Sequence, residues 1–540
     1  MVKLKIKLPW RRGKKGDTQQ APLREESTTD LDSLAYERLV SLRAEYKIIE
    51  SYPLVNPWAR ALILERKSDG SLLYYVDEIP MTPEEEELYK KINDILYWEL
   101  EPPPKDKDPQ EHFREQASQI IKKFRLRFSQ TIHPSISWQK LEYYINRDNI
   151  EYGPITPLMK DPAIEDISCD GVGKPIYVWH QKYESIPTNI KFTDEEKLDE
   201  IIVKLAHKAG KHVSVAFPII DAILPEGHRL AATYKREVSR DGSTFTIRKF
   251  RDKPLSIVDL ILGGTISTLL AAYFWKVMEF NMTGLIMGVT GAGKTTLLNA
   301  LATLLRPTIK IVTIEDTPEL KLTHENWVQL YSRPSYGFEG KMGEITLYDL
   351  VRVSLRYRPD VIIVGEVRGE EAKVLFQAIA TGHGGITTIH AENIDAAVKR
   401  LTSPPMDIPP GYIPLVNFAI SIKRVRLPDT QRPVRRVTEV WEIRDYDDYN
   451  VVARWNAASR EHYVYLEDSI LLPRIAEMTG KSFDDVMEDV TNREKVLRWM
   501  AYRRITAYNQ VASIINEYYR RPMSLLSKVE RELPRFESYT

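Results

Sequence analysis

The sequence predicts an α/β protein whose core is a parallel sheet covered by helices on both faces, with an α+β domain before it and a helical region after it. Between residues 255 and 433, short apolar strands alternate with helical stretches, which is the pattern of strands buried on both faces. A glycine-rich loop, Gly288–Thr295, separates one such strand from one such helix. Between residues 151 and 254, short strands mix with a helix, which indicates a compact α+β domain.

The chain of 540 residues is longer than a single domain, which has roughly 150 residues. The predicted parts are a basic disordered tail (1–30), a mostly helical N-terminal extension (31–150), an α+β N-terminal domain (151–254), the core (255–433), and short strands followed by a helical C-terminal region (434–540). Within the extension, Asp69-Gly70 lies between apolar runs and predicts a hairpin.

The individual elements follow from apolar runs and periodicity. Strands are predicted at 164–168, 176–179, 245–247, 285–287, 309–314, 361–364, 386–389, 437–443, 451–454 and 462–466, and helices at 110–127, 197–208 and 296–305 and through most of 473–530.

Composition excludes several classes of protein. With 43% hydrophobic and 28% charged residues the chain can form a core and is not disordered as a whole. The number of lysines and arginines equals the number of aspartates and glutamates, 76 each, so the formal net charge is zero. This argues against a stable nucleic-acid partner. One cysteine excludes a disulfide framework and a multi-cysteine metal site, and it fits a reducing compartment.

No uncharged stretch reaches the roughly 18 residues of a membrane-spanning helix. The N-terminus carries seven lysines and arginines between Lys3 and Lys15 without a following apolar run, so it is not a signal peptide. It is predicted to be a solvated tail, and a weak contact with a membrane surface or a partner is the alternative.

The segment Gly288–Thr295 matches the phosphate-binding pattern G-x-x-x-x-G-K-T completely. A strand before it and a helix after it provide the context in which backbone N–H groups and a helix N-terminus hold phosphate groups. Lys294 is expected to reach the β- and γ-phosphates and the Thr295 hydroxyl to ligate Mg²⁺. The pattern therefore predicts ATP with Mg²⁺. The expected nucleotide-binding residues are Gly288, Thr290, Gly291, Ala292, Gly293, Lys294, Thr295 and Thr296.

Two carboxylates follow apolar strands, at the sheet edge where doubly wound proteins bind their ligands. Glu366 follows the strand at 361–364 and can hold Mg²⁺ through water or polarise a water molecule. Glu315 follows the strand at 309–314 and is a candidate general base for an attacking water. A helix cap or a solvated strand end is the alternative for either residue, but two carboxylates after one phosphate loop favour catalysis.

His390 ends the strand at 386–389, where it can hydrogen-bond a γ-phosphate oxygen, and His383 lies in a glycine turn. A structural core histidine is the alternative for each. A zinc pair is disfavoured, because Cys169 is distant and the two histidines lack the close helical spacing of a metal pair.

Arg229 and Arg248 lie in the domain before the core. Most arginines are solvated surface groups, but phosphate-loop hydrolysis gains from an arginine directed at the leaving charge, often from a neighbouring subunit. Arg248 ends a strand-like segment just before the linker at 251–254, where it could lean over a nucleotide.

Together these segments resemble the secretion ATPases of type II secretion, type IV pilus and archaellum systems, specifically their archaeal branch. In the family's order they are the phosphate loop, an acidic box at 314–320, a strand-end box at 361–370 and a histidine box at 382–391. The resemblance covers about residues 152–433. Bacterial type II members often carry a tetracysteine zinc module, which a single cysteine cannot form, and this favours the archaeal branch.

The resemblance implies a RecA-like core and a homo-hexameric cytoplasmic motor, peripheral at the inner face of the membrane, that acts on a polytopic membrane platform protein. It also implies roles: Glu315 as catalytic glutamate, Glu366 as strand-end glutamate, His390 as γ-phosphate sensor, and Arg229 and Arg248 as charge stabilisers. Two alternatives stay open. One is a conjugation-type or DNA-uptake motor with the same engine, and the other is a nucleotide-binding scaffold without turnover, against which the intact carboxylates argue.

Overall fold

The computed structural model describes residues 42–99, 101–102, 104, 106–124, 126–128, 134–251, 253–333, 343–427 and 433–532. The predicted basic tail at 1–30 lies outside the described residues. The chain divides between residues 250 and 251 into two compact units.

The first unit is built on one sheet of nine described strands, in the order β1-β2-β3-β6-β5-β4-β9-β8-β7. The strands are β1 (Tyr46–Val55), β2 (Ala59–Arg66), β3 (Leu72–Glu78), β4 (Ile164–Cys169), β5 (Pro175–His180), β6 (Glu184–Lys191), β7 (Ile219–Ile223), β8 (Arg229–Thr233) and β9 (Thr244–Arg248). The helices are α1 (Pro83–Glu99), α2 (Pro109–Lys123), α3 (Pro134–Ile145), α4 (Thr156–Lys160) and α5 (Glu195–Lys208).

In the segment predicted as a mostly helical extension, the described residues include three strands, β1 to β3, ahead of helices α1 to α3. The hairpin expected around Asp69-Gly70 is present as β2 and β3, and β3 pairs with β6, so these strands continue the sheet of the following segment. Two tyrosine hydroxyls, from Tyr52 on β1 and Tyr74 on β3, donate to the fully buried carboxylate of Asp161 at 2.7 and 2.6 Å. Helices α1 to α3 pack around a separate small apolar core.

The second unit is built on another nine-stranded sheet, in the order β12-β11-β13-β14-β10-β15-β16-β17-β18. Its strands are β10 (Gly284–Met287), β11 (Ile311–Glu315), β12 (Trp327–Tyr331), β13 (Val361–Val364), β14 (Gly384–Ile389), β15 (Phe418–Arg426), β16 (Pro433–Asp445), β17 (Asp448–Trp455) and β18 (His462–Val464). Its helices are α6 (Ile257–Leu262), α7 (Thr268–Glu279), α8 (Lys294–Ala302), α9 (Leu347–Ser354), α10 (Glu371–Ala380), α11 (Ile394–Thr402), α12 (Leu471–Thr479), α13 (Phe483–Tyr502), α14 (Tyr508–Arg520) and α15 (Pro522–Glu532).

The first six strands of this order, from β12 to β15, pair in parallel, and the strands from β15 onward pair antiparallel. Met287 lies opposite Ile389, and Ile314 lies opposite Val364. Because these strands end at nearly the same level, the residues that follow them meet at one edge of the sheet. Every residue of β10, β11, β13 and β14 is buried, as the short apolar runs predict.

The C-terminal helices complete the second core. Helix α13 packs against α7, and the fully buried guanidinium of Arg493 joins them through Glu279 on α7 and Asp489 on its own helix. A buried arginine requires such carboxylate partners, since an unpaired charge in a core is strongly unfavourable. The predicted fold class is confirmed: an α/β protein with a parallel core sheet, an α+β region before it and a helical region after it.

Candidate nucleotide site

The phosphate loop is a tight turn from β10 into α8. Gly291 and Gly293 have φ angles of 73° and 99°, in the left-handed region that glycine adopts without strain. At Gly288 a Cβ atom would lie 2.5 Å from the carbonyl oxygen of Ile422 on β15, so a side chain has no room there. Sequence and packing together hold the loop in the conformation that directs N–H groups at a bound anion.

Lys294 is the first residue of α8, and its side chain folds back over the loop. Its Nζ donates to the carbonyl oxygen of Gly288 at 3.0 Å and lies 3.3 Å from Nδ1 of His390. The residue is buried. Burial lowers the pKa of Lys294, and the charge of Glu366 opposes this shift. A buried ammonium held over the loop is well placed to neutralise a phosphate.

Glu366 and His390 meet where β13 and β14 end side by side. Oε1 of Glu366 lies 2.9 Å from Nε2 of His390, and Oε2 accepts a hydrogen bond from Arg368 at 2.7 Å. The 2.9 Å approach is not aligned with a ring N–H, so among the described residues the buried Oε1 accepts no hydrogen bond. Burial, and then the charge of Lys294, lower the pKa of His390, which favours the neutral imidazole. The structure thus brings Lys294, His390 and Glu366 together from three distant segments.

Glu315 has a different environment from the one expected of a general base. Its Oε1 accepts from the backbone N–H groups of Glu319 and Leu320, both at 3.0 Å, and its Oε2 accepts from Gln329 at 3.3 Å. The carboxylate is buried, and burial raises its pKa to about 7. These bonds fix the turn after β11.

Glu319, four residues further along, was not singled out by the sequence reasoning. The negative charge of Glu319 raises the pKa of Lys294, by less than the charge of Glu366 does. It also raises the pKa of Arg368. The acidic box holds two glutamates, and the sequence alone does not show which of them acts on Lys294.

The remaining residues of the loop differ in their exposure. Thr290 is exposed at the tip of the loop, Ala292 is buried, and Thr295 and Thr296 are half-buried in the first turn of α8. The hydroxyl of Thr295 and the unpartnered Oε1 of Glu366 are oxygen donors of the kind that Mg²⁺ prefers, so the residues present fit the expected metal.

Arg435 is a further contact of the loop that the sequence analysis did not find. From β16 its Nε donates to the carbonyl oxygen of Gly291 at 3.2 Å, and its Cδ lies 3.1 Å from the position that a Cβ on Gly293 would take. Only the pairing of β16 with β15, next to β10, brings this residue to the loop.

Arg229 and Arg248 lie in the first unit, directly opposite each other on β8 and β9. Each contacts an aspartate of its own sheet: Arg229 pairs with Asp221, and Arg248 pairs with Asp166. His383 and His390 lie at opposite ends of β14, roughly 20 Å apart along a strand of this length, so they cannot share a zinc ion.

The fold and the site define a class: an α/β protein with a phosphate loop whose lysine is flanked by a strand-end glutamate and histidine. A family profile described as "Type II/IV secretion system protein" matches residues 148–422, half of the chain. The chain belongs to this family of secretion ATPases.

Similar proteins come from archaea and bacteria. An uncharacterised protein of Methanocaldococcus jannaschii is 38% identical over 389 residues, which cover 70% of each chain. VirB11 of Agrobacterium fabrum is 28% identical over 277 residues, 46% of this chain and 78% of VirB11. Among solved structures, the ATPase DotB of Legionella pneumophila is 18% identical, with a TM-score of 0.39 over 65% of this chain and 91% of DotB. Among the helices of the described residues, none has both the length and the apolar character that crossing a bilayer requires.

Proposed function

We propose that this chain is the ATP-hydrolysing subunit of a homo-hexameric motor that drives assembly or secretion of type IV pilus-like surface filaments. The observation that carries the proposal is the contact between the phosphate-loop Lys294, the strand-end Glu366 and His390. A protein that only binds nucleotide needs the loop and its lysine, whereas hydrolysis also needs groups that position water and stabilise charge.

The residues divide the work by their surroundings. Lys294 would exchange its bond to the Gly288 carbonyl for one to the β- and γ-phosphates. Thr295 and Glu366 would hold Mg²⁺, which neutralises phosphate charge when bound. His390, neutral and beside Lys294, would donate a ring N–H to a γ-phosphate oxygen and so sense its presence.

For the attacking water we propose a shared role for two glutamates. Glu315, the predicted general base, holds the backbone N–H groups of Glu319 and Leu320 and thereby fixes the turn. Glu319, whose charge acts on Lys294, would orient the water. Arg229 and Arg248 would stabilise charge on the triphosphate of their own or a neighbouring chain.

Family membership supports the surroundings proposed for the motor: the cytoplasmic face of the membrane, peripheral attachment, and a polytopic membrane platform protein as partner. A conjugation-type motor is the second candidate, because one relative is the conjugal transfer protein TrbB of Rhizobium radiobacter, 31% identical over 278 residues. Neighbouring genes separate the two: genes for a multi-span membrane protein and small pilin-like proteins support the filament motor, whereas conjugation genes support the second candidate.

The direct test is phosphate release from Mg-ATP by the purified full chain. We expect turnover by the wild type and its loss in Lys294→Ala, because the phosphate countercharge is removed. Lys91→Ala, which changes an exposed lysine on α1, is the matched control and should keep wild-type turnover. Normal turnover in Lys294→Ala would refute the site, and absence of turnover in the wild type with Mg-ATP and lipid would favour the scaffold.

A further inference from the structure

Four charged side chains lie in a row across four neighbouring strands of the first unit. This charged row consists of Asp166 on β4, Arg248 on β9, Arg229 on β8 and Asp221 on β7. Asp166 lies opposite Arg248, and Arg248 lies opposite Arg229. Asp221 lies diagonally from Arg229, two residues before the position opposite it on β7. The neighbouring positions, Ile247 on β9 and Leu230 on β8, are fully buried. Because side chains alternate along a strand, the row lies on the open face of the sheet.

Each arginine of the row is held by the aspartate on its outer side. Nε and Nη2 of Arg229 donate to the two carboxylate oxygens of Asp221 at 3.2 and 2.9 Å. Nε of Arg248 donates to Oδ1 of Asp166 at 3.0 Å. Both guanidinium groups are nevertheless accessible, since the side chains of Arg229 and Arg248 are 42% and 54% exposed.

The order of charges along the row is negative, positive, positive, negative. Two like charges directly opposite each other on adjacent strands are unfavourable. The outer aspartates compensate the two central arginines and draw each guanidinium outward along the row. A carboxylate and a phosphate each offer a guanidinium a pair of acceptor oxygens. The two N–H groups that donate to a carboxylate therefore cannot donate to a phosphate at the same time.

We propose that Asp166 and Asp221 are positioning residues, which hold Arg229 and Arg248 on the sheet when no phosphate is present and compete with the triphosphate for them. This inference rests on the proposed function, in which the two arginines stabilise the charge of ATP. Nucleotide binding then exchanges a carboxylate for a phosphate at each arginine, and product release reverses the exchange. Exposed ion pairs add little to stability, so a phosphate can displace these carboxylates at small cost.

The test replaces each aspartate by its neutral isostere in the full chain. With a fluorescent ATP analogue and Mg²⁺, we expect Asp166→Asn and Asp221→Asn each to lower the Kd about twofold to fivefold, the range for releasing an exposed ion pair. The KM for ATP should fall by the same factor while kcat stays unchanged. Asp221→Glu should restore the wild-type Kd, because it restores the competing carboxylate.

Two further variants make the test specific. In an Arg229→Ala background, Asp221→Asn should give no gain in affinity, because the competing partner is gone. Asp241→Asn releases an exposed ion pair with Lys174 in the same unit, and it should leave the Kd unchanged. A role in stability alone would instead lower the melting temperature without tightening nucleotide binding.

An unchanged or increased Kd in both aspartate variants, or a gain that persists without Arg229, would overturn the inference. These outcomes differ from failure of the proposed function. If the wild type does not bind Mg-ATP, or if Arg229→Ala and Arg248→Ala bind and hydrolyse it as the wild type does, the role of the arginines itself is wrong. If the arginine variants are impaired and the aspartate variants are neutral, the competition alone is wrong.

Discussion

At the scale of single residues, the contacts of Lys294 show how a site is prepared before its ligand arrives. In a core, an ammonium without partners is costly, and here the Gly288 carbonyl and His390 surround it. These are weaker partners than a phosphate, since charge-assisted bonds to an anion are the strong ones. Lys294 is therefore kept in place by bonds that a triphosphate can displace.

Glu366 provides the first prediction at this scale. Glu366→Gln keeps the shape and one acceptor oxygen but removes the charge beside Lys294 and His390. We expect binding of Mg-ATP to persist while kcat falls about 100-fold or more, the usual cost of losing a group that acts on the reacting water or metal. Filter binding and phosphate release measure the two effects separately.

Glu370→Gln is the matched control for this variant, because Glu370 is exposed on the same loop after β13. It should retain wild-type binding and turnover. Wild-type rates in Glu366→Gln would exclude the assigned role, and loss of binding in that variant would place Glu366 in nucleotide affinity rather than in hydrolysis.

Glu315 provides a prediction about pH. Its pKa is raised from 4.5 to about 7 by burial, so the unfolded chain loses this proton at a lower pH than the folded chain. The contribution of Glu315 to stability therefore falls as pH rises from 4.5 to 7 and is constant above that range. A glutamine at this position can still accept from the N–H groups of Glu319 and Leu320, but it does not titrate.

We expect the free energy of unfolding of Glu315→Gln, relative to the wild type, to be higher at pH 8 than at pH 4.5 by on the order of 3 kcal/mol, since one pKa unit corresponds to about 1.4 kcal/mol. Urea unfolding at both pH values measures this difference. Asp316→Asn, at the exposed neighbouring position, should show no comparable change between the two pH values. An equal stability difference at both pH values would mean that the pKa of Glu315 is the same in the folded and the unfolded chain.

At the scale of elements, strand β16 connects the antiparallel half of the second sheet to the phosphate loop. Arg435 donates to the carbonyl oxygen at the tip of the loop, at Gly291. Its removal frees the loop from β16 and withdraws a positive charge from the phosphate site. We expect Arg435→Ala to raise the Kd for Mg-ATP about tenfold, equivalent to about 1.4 kcal/mol, as for one charge-assisted bond.

The control for Arg435→Ala is Arg454→Ala on β17, whose exposed guanidinium pairs with Glu439. This variant should bind nucleotide like the wild type. Arg435→Lys should recover part of the affinity, since it restores the charge but not the planar guanidinium. Equal affinity in Arg435→Ala and the wild type would limit Arg435 to a structural contact.

The elements around the loop could be predicted because their signals are local. Strands β10, β11, β13 and β14 are short apolar runs, and the motif after β10 specifies its own turn. Strands β1 to β3 were predicted only in part, because their place is determined by distant partners. The bond from the Tyr52 hydroxyl to Asp161 spans 109 residues, and no local pattern reports such a contact.

The same distinction explains the site. Glu366 and His390 each follow a recognisable strand, so parallel strand ends were enough to bring them to Lys294. Which glutamate of the acidic box acts on Lys294 depends on how the turn after β11 folds, and the backbone bonds to Glu315 stabilise that turn. Arg435 could not be predicted, because its strand reaches the loop only through pairing with β15.

At the scale of the whole molecule, the chain consists of two units, and each contains its own apolar core. The proposed motor uses both units: the second holds the phosphate loop, and the first supplies Arg229 and Arg248. Arginines on a separate unit can serve a neighbouring chain as readily as their own, which is the rationale for a ring.

The last prediction concerns that ring. In sedimentation velocity with Mg²⁺ and a non-hydrolysable ATP analogue, we expect a species of about 375 kDa, six chains of 62.5 kDa each, and a smaller species for Lys294→Ala under the same conditions. A monomer under all conditions would remove the reason for sharing arginines between chains. If Lys294→Ala chains enter rings together with Arg248→Ala chains, the mixture should release more phosphate than either variant alone, because some interfaces then combine an intact loop with an intact arginine. No recovery from mixed rings would mean that Arg248 serves the nucleotide of its own chain.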